Sequence, residues 1–211
     1  GEAFVQDIHT IRNDDDYTDK IVIDVGAECG DTPLYYASRG AKVFAFEPMK
    51  AHYDAMIRNL SLNPELAKRI TPINAAIGKD GMLKFYHSNR SDIAEVSSFV
   101  YNIHGDDAVV FDDVRGYSLS SAIREFNIPY VDILKTDCKG CEFYLTKEDL
   151  EKVDQVKIEY AAFEFTKHNL TELTKILDES GFEYMIYRIN PNRERSSNLL
   201  SGHLFGKKIK S

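Results

Sequence analysis

Apolar runs of strand length alternate with segments of helical spacing along most of the chain. Ile21-Val22-Ile23 leads through Asp24-Val25 into a glycine loop, Gly26 to Gly30. An apolar segment, Leu34 to Ala37, follows; Thr32 is expected as its N-cap, with Pro33 at the first helical position. Ala41 to Phe46 reads as a second buried strand, ending in Glu47 and stopped by Pro48. Tyr53, Met56, Ile57 and Leu60 recur at helical spacing. Arg69 to Ile77 predicts a third strand, and Met82 to Tyr86 a hairpin partner beyond the turn at 78–81. Residues 87–117 have the weakest periodicity and are expected to form a loop-rich lid or binding region. Leu119, Ala122, Ile123 and Phe126 mark a helix, and Tyr130 to Lys135 a fourth core strand. Thr146 and Asp149 stand at near capping-box spacing at the head of a short helix ending at Val153. A fifth strand, Val156 to Glu164, precedes a helix capped by Asn169 and ended by Gly181. Phe182 to Ile189 and Leu199 to Ile209 are two strands in succession, joined through Asn190-Pro191-Asn192. This alternation predicts an α/β, Rossmann-like fold: a seven-stranded, mostly parallel sheet with an antiparallel C-terminal strand. At 211 residues one domain is expected, residues 20–211, after a polar lead-in at 1–19 that holds Asp14-Asp15-Asp16.

Bulk properties narrow the function. The net charge of −8 argues against a nucleic-acid substrate, which wants a basic footprint. No apolar run approaches the ~20 residues of a membrane span, and no signal peptide is visible at Gly1 to Val5. Three cysteines make no disulfide framework and suggest a reducing compartment, the cytoplasm. Cys138 and Cys141 have C-x-x-C spacing, but a redox pair should open a helix and a structural zinc needs four ligands. No second ligand pair is near. The pair is therefore expected to fill space beside a tight turn, as neither a metal site nor an obligate disulfide.

The glycine loop points to a cofactor. A dinucleotide fold wants G-x-G-x-x-G, so that backbone approaches a pyrophosphate. Here the middle glycine is replaced by Glu28. A carboxylate there repels a diphosphate and suits a cation without phosphates, such as S-adenosyl-L-methionine (SAM). Glu47, at the end of the next strand, is placed to accept hydrogen bonds from both ribose hydroxyls. Asn74 is expected beside the adenine.

The order of motifs resembles the FkbM-type SAM-dependent methyltransferases. It is carried by Asp24-Val25-Gly26-Ala27-Glu28-Cys29-Gly30-Asp31-Thr32, Phe46-Glu47-Pro48, Asn74-Ala75-Ala76-Ile77-Gly78, and Leu134-Lys135-Thr136-Asp137-Cys138-Lys139-Gly140-Cys141-Glu142. The resemblance covers roughly residues 20–190. It implies a class I methyltransferase fold and a cofactor site built from Asp24, Gly26, Ala27, Glu28, Gly30, Thr32, Glu47, Pro48, Asn74 and Ala75. Gly26, Ala27 and Gly30 are expected under the methionine part of SAM. One departure concerns Lys139, where the family usually carries an acid.

Methyl transfer needs donor and acceptor aligned, and a hydroxyl acceptor benefits from a base. Asp137 is the first candidate, since ligands of such sheets sit outside the carboxyl ends of the strands. Lys139 beside it favours the charged form. Glu164 is the second candidate; His104 and His168 read as solvated loop residues, and Ser97-Ser98 matches a serine-bearing stretch of the family. The reading is O-methyl transfer to a small molecule or glycan. An N-methyltransferase and a non-catalytic nucleotide-binding module are the alternatives, and Glu28 counts against an NAD dehydrogenase.

Overall fold

The computed structural model describes residues 16–88, 109–163, 168–188 and 199–209. Ser97-Ser98, His104, Glu164 and the 190–192 turn lie outside the described residues. In chain order the elements begin β1 (Ile21–Val25), α1 (Asp31–Ser38), β2 (Lys42–Phe46), α2 (Lys50–Ser61), α3 (Pro64–Ala67) and β3 (Ile70–Ile73). Next come β4 (Ala76–Ile77), β5 (Gly81–Ser88), β6 (Val109–Tyr117), α4 (Leu119–Glu125), β7 (Val131–Thr136) and a 3₁₀ turn (Cys141–Tyr144). The last elements are β8 (Val153–Phe163), α5 (Leu170–Glu179), β9 (Phe182–Arg188) and β10 (Leu199–Lys208).

Seven strands form one sheet in the order β3-β2-β1-β7-β8-β10-β9. Among the described strands of this sheet β10 alone runs opposite to the other six, as expected. Alternation along the strands sends Ile23, Val25, Phe46 and Leu134 to one face, packed with Leu119, Ile123, Leu173 and Leu177 of α4 and α5. The opposite face presents Val22, Val43 and Ile133 to Tyr35 and Tyr36 of α1 and to Met56 and Leu60 of α2. Tyr17, at the end of the expected lead-in, is buried in this second layer edge-on to Tyr36.

Four local expectations are corrected. Helix α1 has Gly30 as its N-cap in a left-handed conformation (φ 90°), so Thr32 is a buried second residue rather than the cap. A Cβ at Gly30 would stand 2.8 Å from the Met56 side chain, which reserves the position for glycine. The strand expected over 69–77 breaks after Ile73. Asn74 turns its amide onto the carbonyls of Glu47 (2.8 Å) and Pro48 (3.0 Å), and Ala76-Ile77 leave for a second sheet. That sheet, β4-β6-β5, includes Val109–Tyr117, which lies inside the segment expected to be loop. Its alternation is masked in sequence by Asp112-Asp113 and Gly116. Finally, Thr146 and Asp149 do exchange capping hydrogen bonds, but no α-helix follows. Asp149 is instead spent on Ser120 N–H of α4, at 2.6 Å.

Candidate cofactor and catalytic site

The sheet order reverses between β1 and β7, and the chain leaves these neighbours toward opposite flanks. A ligand crevice is expected outside the carboxyl ends at such a switch point. A cleft lies there, with Gly26, Glu28, Glu47, Pro48, Met49 and His52 on one side. Ala76, Ile77 and Phe85 of the small sheet, with Asp137, Cys138 and Lys139, complete it.

Gly26 makes the switch point possible. Its φ is 78°, and a Cβ there would stand 2.0 Å from the carbonyl oxygen of Asp137. The Gly26 and Ala27 N–H groups both donate to Phe46 O, at 3.0 and 3.1 Å, while Asp137 N–H donates to Val25 O. The three strand ends are thus stitched together before any side chain is considered. Glu28 also adopts a positive φ, 45°, so a bulky residue holds a conformation glycine would adopt freely. Strained residues of this kind concentrate at ligand sites.

Glu47 is buried, and its two carboxylate oxygens each accept one backbone N–H, from Glu28 and from Met49, both at 2.8 Å. An ionised carboxylate offers about four acceptor directions, so both oxygens keep capacity for hydroxyl donors. Burial, only partly offset by those two N–H groups, raises the Glu47 carboxyl to about 7. His52 Nδ1 stands 3.9 Å away.

Asp24 does not reach the cleft. It lies in register with Lys135 across β1 and β7, both side chains buried, and they form an ion pair at 2.9 Å. Lys135 also donates to Gly26 O at 3.1 Å. Burial lifts the Asp24 carboxyl to about 6, against the pull of Lys135. In the sequence Lys135 is a cation at the end of an apolar strand, a sign of a buried acid facing it, but only the register of β1 and β7 names Asp24. Ala27, Gly30, Thr32, Asn74 and Ala75 likewise build the walls without lining the cleft.

Asp137 does line it. Lys139 Nζ bonds Asp137 Oδ1 at 2.8 Å and Glu159 Oε1 at 2.6 Å. Burial opposes the Lys139 charge, but the two carboxylates outweigh it and raise the ammonium above its usual range. Lys139 therefore holds Asp137 against β8, a link to Glu159 that the sequence did not disclose. His168 stands apart, stacked on Phe143 and facing Glu172 at 3.0 Å.

The cysteines require a correction. Cys138 and Cys141 are joined in a disulfide. Lys139 at φ 51° and Gly140 at φ 125° turn the chain so that the two Cα atoms are 5.5 Å apart, within disulfide reach. Cysteine usage consequently no longer argues for a reducing compartment. No helix among the described residues is long and apolar enough to cross a membrane.

A cleft with an acidic rim at the switch point of a seven-stranded sheet whose β10 is antiparallel is the architecture of class I methyltransferases. The Methyltransferase FkbM domain matches residues 24–184, and the chain belongs to the FkbM methyltransferase family. Its cofactor is SAM, and the residues fit it. Glu28, Glu47 and Asp137 suit a cation, and Ile77, Phe85 and Pro48 offer apolar walls for a base.

Solved structures agree on the fold. An rRNA methylase from Streptococcus thermophilus is 13% identical over 93% of this chain and 89% of its own, with a TM-score of 0.56. M. jannaschii TYW2, in complex with AdoMet, is 13% identical over 97% of this chain and 74% of its own, at 0.50. The METTL16 methyltransferase domain is 13% identical over 94% and 63%, at 0.53. A comparison with curated proteins finds no match. The expected exclusion of nucleic acid is corrected here. The fold is shared with an rRNA methylase, so a net charge of −8 does not exclude such a substrate. Net charge sums the whole chain, whereas a nucleic-acid footprint is local.

Glu47→Ala is expected to weaken S-adenosylhomocysteine binding at least tenfold, since charge-assisted hydrogen bonds contribute about 1.5–3 kcal/mol each. The wild-type protein should show the same dependence through pH. With the carboxyl near 7, about a tenth is ionised at pH 6, so affinity there should be roughly tenfold below that at pH 8. Titration calorimetry reads both; an unchanged dissociation constant in either series contradicts the ribose role.

Proposed function

We propose that this protein transfers the methyl group of SAM to a hydroxyl of a small molecule or glycan in the cytoplasm. Bound SAM supplies an already activated methyl group on a sulfonium. The protein's share is to seat that cofactor, align the acceptor hydroxyl and take its proton. Glu47 binds the ribose, Gly26 lets the backbone close beneath the cofactor, and Glu28 adds negative charge near the sulfonium. Asp137 positions the acceptor and accepts its proton, with Glu164 as the second candidate.

One observation carries the choice of a hydroxyl. Asp137 lines the cleft, and its carboxylate is held by Lys139. A hydroxyl gains from such a carboxylate, whereas an amine needs only to arrive neutral. The test is transfer from isotope-labelled SAM to a panel of hydroxyl-bearing metabolites and glycans, with amines and RNA alongside. Label recovered as an O-methyl ether on a metabolite or glycan supports the reading. Label recovered only on nitrogen, or only on RNA, overturns it.

A further inference from the structure

The disulfide lies in the one segment that joins the cleft to β8. Cys138 lines the cleft and is half-buried, whereas Cys141 is 2% exposed. Between them stands Lys139, which ties Asp137 to Glu159. Beyond them Glu142, also buried, accepts N–H groups from Gly140 and from Ala161 of β8, both at 2.8 Å. The two sulfurs and a Glu142 oxygen converge within 4.8 Å of one another.

We propose that Cys138–Cys141 is a redox-active cysteine pair whose oxidation state sets the affinity of the cofactor cleft. The inference rests on the cleft being the SAM site. Reduction proceeds by thiol–disulfide exchange with a dithiol reductant, through the cleft. The reductant's first thiolate bonds the accessible Cys138 sulfur, the S–S bond breaks, and Cys141 leaves as a thiolate. That thiolate takes a proton, for which Glu142 is the adjacent acid. The reductant's second thiolate then attacks the mixed disulfide, and Cys138 departs and is protonated. Two electrons pass to the protein, which ends with two thiols while the reductant ends as a disulfide. Burial raises the Glu142 carboxyl to about 7, against the hydrogen bonds from Ala161 and Gly140, which suits it to exchange a proton near neutrality.

The coupling follows from space. Two thiols in non-bonded contact need more room than two bonded sulfurs. Cys141 is enclosed, so Cys138 must move, and it moves on the cleft side. Its neighbours Asp137 and Lys139 move with it, and the left-handed turn at Lys139 loses its cross-link. The oxidised form is the ordered, cofactor-competent one.

The test uses Cys29→Ser protein, which removes the exposed free thiol so that thiol counting reads the pair alone. Oxidised protein is expected to show no free thiols under denaturant, and protein reduced with dithiothreitol two. Reduction should weaken S-adenosylhomocysteine binding about tenfold, and by reciprocity the bound ligand should make the disulfide about tenfold harder to reduce. Adding Cys138→Ser and Cys141→Ser should give the affinity of the reduced form and abolish its response to dithiothreitol. Equal affinities for oxidised and reduced protein overturn the inference and leave the cofactor site intact; failure of both forms to bind overturns the two together. Thiols that resist oxidation, or stoichiometric zinc in the reduced protein, also overturn it.

Discussion

Asp137→Asn is expected to lower turnover by about 10²–10⁴-fold, the range lost with a base or positioning group. S-adenosylhomocysteine affinity should stay within a few-fold of wild type. The backbone of residue 137 carries the contacts that shape the switch point, its carbonyl against Gly26 and its N–H on Val25. Asparagine leaves those in place. It keeps the size of the side chain but removes its charge and its capacity to take a proton, while Lys139 retains Glu159. Turnover surviving within a few-fold would make Asp137 structural and move the role to Glu164. Collapse of ligand binding would assign Asp137 to the cofactor instead.

Lys135→Met should cost the fold about 3–5 kcal/mol at pH 8, because removing one partner strands a buried charge. Asp24 is wholly enclosed, and its ion partner is Lys135. The loss should shrink as pH falls from 8 toward 6, because without Lys135 the enclosed Asp24 carboxyl rises beyond its wild-type value of about 6, takes up a proton and no longer needs a cation. Adding Asp24→Asn at pH 8 should recover part of the stability. Urea unfolding at pH 5 and pH 8 measures all three effects. A loss below 1 kcal/mol at pH 8 would contradict the structural role.

The centre of the sheet was legible in the sequence because its strands are short apolar runs with an acid within two residues of their ends, Asp24, Glu47 and Asp137. Ile21–Val25, Ala41–Phe46 and Tyr130–Lys135 all fall on observed strands. Of the small sheet only Met82–Tyr86 was legible, and it falls on β5, where its antiparallel partner is β6; Ala76-Ile77 is too short to show a period and the pattern of β6 is broken by Asp112-Asp113. The cofactor loop was legible through its glycines. What sequence withheld is contact at long separation. Asp24 and Lys135 meet only once β1 and β7 are in register, and Glu159 reaches Lys139 only across β8. The disulfide was missed for a different reason. C-x-x-C spacing signals a pair when it opens a helix, whereas here a left-handed turn at Lys139 and Gly140 brings the cysteines together.

In the proposed arrangement the cleft between β1 and β7 seats SAM with its ribose on Glu47. A crystal structure of the protein with S-adenosylhomocysteine tests it most directly. Ligand density is expected over Gly26, with both ribose hydroxyls within hydrogen-bond distance of the Glu47 carboxylate and the sulfur facing Asp137. Density elsewhere, or a ribose turned away from Glu47, would contradict it.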